Sequence, residues 1–286
     1  MGSAQQHHRL RAGQPARSGD GQPPQGPHHH RHRRPVTTPG TPASPAPDAS
    51  GHRTSGPRHR RLLVLGANGP TGRRLVHQAL VRGHQVQALT RHPETFPLCD
   101  DRLQVIAGDA TNPAVIDTAV AATDAVICTI GTAFTRHPVQ VYSASARLLV
   151  QAMSGHGKRR LVVVTSGGVD TTHRPQGIAG RLSRSVLRNR IGKTVYDDME
   201  AMEAVVWASD LDWTVVRPPG LTEEPGTDYA IAPERIQDPF MSRDDLAAAL
   251  LDQLQDHRYV RKVAAVATPG LRVSGWYMFH REVLKR

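Results

Sequence analysis

The sequence predicts an α/β fold, a doubly wound parallel sheet of Rossmann type, forming a single domain over residues 61–286 behind a tail with no fold of its own. Three observations predict it. Short apolar runs alternate with helical patterns; a glycine-rich turn stands between the first such run and the first helix; and the composition changes abruptly near residue 61.

Leu62-Leu63-Val64-Leu65 is short and wholly apolar, as a strand buried on both faces should be. Leu75, Val76, Ala79 and Leu80 then recur at helical spacing, and Gly83 ends that helix. Val86 to Leu89 reads as a second strand, Leu103 to Ala107 as a third and Ala125 to Ile130 as a fourth, with Asn112-Pro113 opening a helix between the last two. Tyr142 to Met153 is helical, Leu161 to Val164 a fifth strand, Val195 to Ser209 an amphipathic helix and Trp213 to Val216 a sixth strand. Ser242-Arg243-Asp244-Asp245 has the form of a capping box for a helix through Leu254.

Residues 1–61 hold ten arginines against Asp20 and Asp48, so they carry +8 of the chain's net +11. That segment is also rich in proline and poor in large apolar side chains, which cannot offset the entropy of ordering it; residues 1–60 are therefore read as a disordered basic tail. Since the excess charge sits on an appendage, no folded basic face announces a specific nucleic-acid partner. The run His28, His29, His30, His32 lacks a nearby carboxylate or cysteine and assigns no metal. Cys99 and Cys128 are too few and too far apart for a zinc or redox motif, and Cys128 reads as a buried apolar residue. No stretch reaches the roughly 18 apolar residues of a membrane span, and no apolar segment follows the arginine run as a secretion signal requires. The expectation is a cytoplasmic protein, monomer or homodimer, acting on a small molecule.

Gly66-Ala67-Asn68-Gly69-Pro70-Thr71-Gly72 carries the chemistry. Gly66 permits the tight turn, Gly69 the approach of a diphosphate and Gly72 close packing of helix on strand, while the helix N-terminus offers N–H groups to phosphate oxygens. Arg73 and Arg74 oppose the helix dipole unless an anion is near; the alternative is that both point into solvent. After the second strand stand Thr90-Arg91-His92, where an NAD-preferring protein would place Asp or Glu on the ribose 2′-hydroxyl. A guanidinium binds a 2′-phosphate bidentately, so Arg91 favours NADP(H) over NAD(H), a plain surface arginine being the alternative.

These segments, with Leu89-Thr90-Arg91, Gly108-Asp109-Ala110, Ala125 to Thr132, Val163 to Ser166 and Asp210 to Pro219, resemble the atypical short-chain dehydrogenases of the NAD(P)H-binding, NmrA-like kind, including flavin reductases of the biliverdin reductase B type. The resemblance runs over residues 61–260. It implies that Asp109 and Ala110 lie against the adenine, Ile130, Gly131 and Thr132 against the central ribose and phosphates, and Pro218 near the nicotinamide. A turn aspartate is the other reading of Asp109.

Most members of that superfamily use a Tyr-x-x-x-Lys pair for proton transfer. No tyrosine here has lysine at that offset; Tyr196, for instance, is followed by Glu200. Ser166, at the end of the fifth strand, is the candidate donor to substrate or nicotinamide, with a strand-end cap as alternative. Tyr196 and Lys193, expected just before the next long helix, are further candidates, with packing as the alternative for the tyrosine. Arg174 to Arg190, with five arginines, falls where the family builds a substrate lid and suits an acidic substrate; a solvated loop is the competing reading.

Three functions follow. The first is NADPH-dependent hydride transfer to a flavin, quinone or related planar acceptor. The second is a regulatory protein that senses NADP(H) without turnover, and the third a nucleotide-sugar epimerase or dehydratase. Deleting residues 1–60 should leave NADPH affinity, measured by fluorescence titration, unchanged; a large loss would place part of the binding domain in the tail.

Overall fold

A computed structural model describes residues 59–135, 137–169 and 192–272. The basic tail up to residue 58, the five-arginine segment Arg174 to Arg190 and residues 273–286 lie outside the described residues.

The elements run β1 (Arg61–Leu65), α1 (Pro70–Val81), β2 (Gln85–Thr90), β3 (Leu103–Ala107), α2 (Pro113–Ala121), β4 (Ala125–Cys128), α3 (Val141–Gly155), β5 (Arg160–Val164), α4 (Lys193–Trp207), β6 (Asp212–Arg217), β7 (Gly220–Thr222), β8 (Ala230–Pro233), β9 (Phe240–Ser242), α5 (Arg243–Asp252) and β10 (Lys262–Ala267). Eight strands form one sheet in the order β3-β2-β1-β4-β5-β6-β10-β8, parallel except for β8 against β10. β7 and β9 pair separately. Strand order reverses between β1 and β4, so a crevice opens beyond their carboxyl ends.

Successive residues of a strand face opposite sides. Leu62 and Val64 accordingly join a core with α1 and α5, whereas Leu63 and Leu65 join a second core with α2, α3 and α4. Both faces are covered, which is why β1 reads as a continuous apolar run rather than an alternating one. Cys128 is buried as expected, and burial pushes its thiol up to about 12.

Helix ends are closed in four ways. At the end of α1, Gly83 lies at φ +83°, with Gly83 N–H donating to the Leu80 carbonyl and His84 N–H to that of Ala79, a Schellman closure. Asn112 caps α2 by accepting from the N–H groups of Ala114 and Val115. α3 has no side-chain cap of its own; the buried Asp198 carboxylate on α4 accepts from Tyr142 N–H at 2.8 Å and Ser143 N–H at 3.3 Å. At the far end of α5, the buried Arg160 guanidinium donates to the Gln253 carbonyl, so one cation serves the negative end of a helix.

Several expectations change. β4 ends at Cys128 rather than Ile130, because the Thr129 hydroxyl turns back onto the Leu65 carbonyl at 2.9 Å. α4 begins at Lys193, so Lys193 and Tyr196 belong to its first turn and do not precede it. α5 ends at Asp252, short of Leu254. Its capping box is also open: Ser242 accepts from Asp244 N–H, but Asp245 turns away to accept from Thr227 N–H and the Thr268 hydroxyl. β7, β8 and β9, of three or four residues each, leave no periodic signature, and the six-residue β10 is a further strand beyond the six expected.

Replacing Asp198 with Ala leaves two buried helix amides without an acceptor. Urea unfolding should show a loss of about 2 kcal/mol; an unchanged midpoint would show that α3 does not depend on this tertiary cap.

Candidate cofactor and active site

The glycine turn is built by backbone approaching backbone. Gly66 sits at φ +73°, and a Cβ there would lie 2.7 Å from the Thr129 carbonyl. A Cβ on Gly72 would come within 2.1 Å of the Gly66 carbonyl oxygen, so helix and turn pack together only without a side chain. Gly69 closes the turn, donating to the Gly66 carbonyl at 3.0 Å. It also serves as N-cap of α1 with no side-chain cap, and no acidic residue occupies the first turn. The amides of Thr71 and Gly72 therefore stand where no helix carbonyl reaches back, an arrangement suited to an anion.

Neither arginine of that first turn is idle. Arg74 meets Asp244 at 3.0 Å and Glu223 at 3.1 Å, so carboxylates offset its conflict with the dipole. Arg73 donates through Nε to the Asn68 backbone and side-chain oxygens, and Asn68 in turn donates to the His92 carbonyl and Thr95 hydroxyl. Arg73 thus braces the turn against the segment after β2. Thr71 is buried and its hydroxyl accepts from Arg243 at 3.1 Å.

Around the turn stand the other candidates. Arg91, just past β2, is exposed and takes part in no ion pair among the described residues. Asp109, past β3, accepts from the hydroxyl and N–H of Thr111; those bonds, helped by the charge of Arg91, hold its carboxyl below the usual range. The turn role of Asp109 is therefore present, and Ala110 follows it half-buried. Ile130, Gly131 and Thr132 follow β4, where a Cβ on Gly131 would meet open space. Thr132 N–H donates to the buried Tyr142 hydroxyl at 3.0 Å, and burial pushes that phenol up to about 12.

The second wall lies past β5 and β6. Ser166 accepts through Oγ from Gly168 N–H at 3.1 Å, and Gly167 N–H donates to the carbonyl of the buried Pro218 at 2.8 Å. A Cβ on Gly168 would lie 2.6 Å from the Tyr196 ring, so that ring closes directly on the Ser166 turn. The ring of Phe134 packs on Tyr196 with centroids 5.8 Å apart. The structure thus brings Ser166, Pro218 and Tyr196 together. Lys193 is separate: its side chain is 66% exposed and pairs with Asp197 at 2.5 Å.

The NAD(P)H-binding family model matches residues 66–257. The chain belongs to that family. Among relatives of this NAD(P)H-binding protein, an uncharacterized sugar epimerase, YhfK of Bacillus subtilis, is 26% identical over 68% of this chain and 88% of its own. A short-chain dehydrogenase/reductase from Veillonella parvula, solved with NADP, superposes with a TM-score of 0.64 at 22% identity, covering 74% of this chain and 96% of that one. An anaerobillin reductase of Escherichia coli, ChuY, superposes at 0.57 with 21% identity over 75% of this chain and all of its own.

Sequence reasoning missed the ionic group behind Ser166. Glu203 on α4 is 1% exposed and accepts from the Thr165 hydroxyl at 2.7 Å and from Arg217 at 2.9 and 2.5 Å. Thr165 precedes Ser166 and Arg217 precedes Pro218, so the bidentate pair fixes the two strand ends that carry the site. The apolar run that predicts β6 stops at Val216, and an arginine beyond it carries no local sign of a partner on another helix.

The glycines make separable predictions. Gly69, at φ −73° with a built Cβ 3.2 Å from the Gly66 carbonyl oxygen, should lose less Tm as Ala than Gly72 does, while NADPH affinity falls at least tenfold. Gly72→Ala should cost stability itself, read by thermal unfolding; a Gly72→Ala protein as stable as wild type would contradict the packing described.

Proposed function

We propose that this protein is an NADPH-dependent reductase that delivers hydride to a flavin, quinone or related planar acceptor such as a tetrapyrrole. The observation that carries the reading is the uncapped first turn of α1, together with an exposed Arg91 that forms no ion pair among the described residues. The amides of Thr71 and Gly72 would hold the diphosphate, Arg91 the 2′-phosphate, Asp109 and Ala110 the adenine, and Ile130 to Thr132 the ribose and phosphates linking them. Pro218 and Ser166 would flank the nicotinamide, which supplies the hydride when bound.

The residues on this chain set limits on the chemistry. Ser166 can donate its hydroxyl proton to an acceptor oxygen while Gly168 N–H holds its lone pair. Tyr196 lies against the same turn but has Glu200, not lysine, at the offset that would lower its phenol pKa. A planar acceptor reduced at ring atoms needs positioning more than a strong acid, which fits Ser166 and Tyr196 better than alcohol dehydrogenation does. The similarity to ChuY supports a reductase. The similarity to YhfK favours sugar epimerisation instead, and the missing tyrosine–lysine pair weighs against it. The same missing pair favours a sensor that binds NADP(H) without turnover.

Two measurements decide. Arg91→Asp should raise KM for NADPH at least tenfold and leave KM for NADH nearly unchanged; equal effects would reject the 2′-phosphate assignment. Purified protein with NADPH and FMN, FAD, menadione or biliverdin should consume NADPH, followed at its absorbance band; tight binding with no oxidation would reject the reductase in favour of the sensor.

A further inference from the structure

At the opposite end of the sheet from the glycine turn, the loops before β1, β4, β5 and β10 surround a cavity of about 620 Å³. Its wall is cationic, with Arg60, Lys158 and Arg160 facing it beside His257. Asp124 and Asp212 also line it, but both are engaged: Asp124 accepts from Arg61 at 2.9 and 3.2 Å, and Asp212 from Arg159 at 3.2 and 3.3 Å.

Among the described residues, no carboxylate hydrogen-bonds to Arg60 or Arg160. Arg160 is 6% exposed, and its N–H groups go to the carbonyls of Gln253, Leu161 and Asp212 and the Thr214 hydroxyl, all neutral acceptors. Burial pushes its pKa down to about 10; the charges of Asp212 and Asp256 oppose that, and the charge of nearby Arg60 adds to it. Arg60 Nε is itself buried and has no acceptor among the described residues. Two like charges are thus held together around a void, with a buried donor unused, whereas buried polar groups are ordinarily satisfied and buried charges ordinarily paired. The C-terminal dipole of α5 accounts for Arg160 and the charge of Asp124 faces Lys158, but neither accounts for Arg60. Leu254 and Val260 add an apolar wall.

We propose that this cavity binds a small organic phosphate, its phosphate between Arg60 and Lys158 and its carbon skeleton against Leu254 and Val260. A dianion supplies the missing acceptor and offsets the two guanidiniums at once.

The test uses full-length protein saturated with NADPH, so that phosphate cannot report on the glycine turn, and phenyl phosphate titrated at constant ionic strength against potassium chloride. The expected result is a saturable rise in Tm of about 5 °C at about a hundred times Kd, with affinity at least tenfold weaker in the Arg60→Gln, Lys158→Gln double variant. Absence of a rise, or a rise kept by the double variant, overturns the proposal; inorganic phosphate binding as tightly as phenyl phosphate overturns its apolar half. Should the double variant fail to fold, acetylation of Lys158 in the wild-type protein, followed by mass spectrometry, should slow at least fivefold with phenyl phosphate, and an unchanged rate overturns the site.

Discussion

The closeness of Gly72 to the Gly66 carbonyl oxygen governs the cofactor end of the molecule. A side chain at position 72 would overlap that oxygen, so only glycine lets α1 start immediately above the end of β1. Starting there, with Gly69 as an N-cap that carries no side chain, α1 presents unspent amides at the point where strand order reverses. Glu223 and Asp244 offset the charge of Arg74, whereas Arg73 meets only the neutral oxygens of Asn68 and keeps its positive charge beside the turn.

α4 connects that end to the ends of β5 and β6 through two buried carboxylates five residues apart. Asp198 caps α3, whose Tyr142 hydroxyl receives Thr132 N–H in the loop after β4. Glu203 ties Thr165 to Arg217 at the ends of β5 and β6. One helix therefore fixes the loop on one side of the crevice and the strand ends on the other. Buried charges of this sort are tolerated because each has its hydrogen bonds complete.

The central strands and the glycine turn were legible because they are local: period, length and turn chemistry identify β1, α1, β2 and β3 within one or two residues. What escaped is long-range. Nothing around Asp198 or Glu203 marks them as buried, since their partners come from 56 residues away for Asp198 and 38 for Thr165 to Glu203. The box at Ser242 misled for the same reason: Asp245 has better acceptor work with Thr227 and Thr268 than with its own helix start. Lys193, a candidate for the site, forms an exposed ion pair with Asp197 one turn along, a partner that the i,i+4 spacing alone could have named.

The most direct test of the account is calorimetric titration of the intact protein with NADP+ and NAD+. The account predicts saturable binding of NADP+ at one site per chain, at least tenfold tighter than NAD+. No heat of binding with either dinucleotide would contradict it.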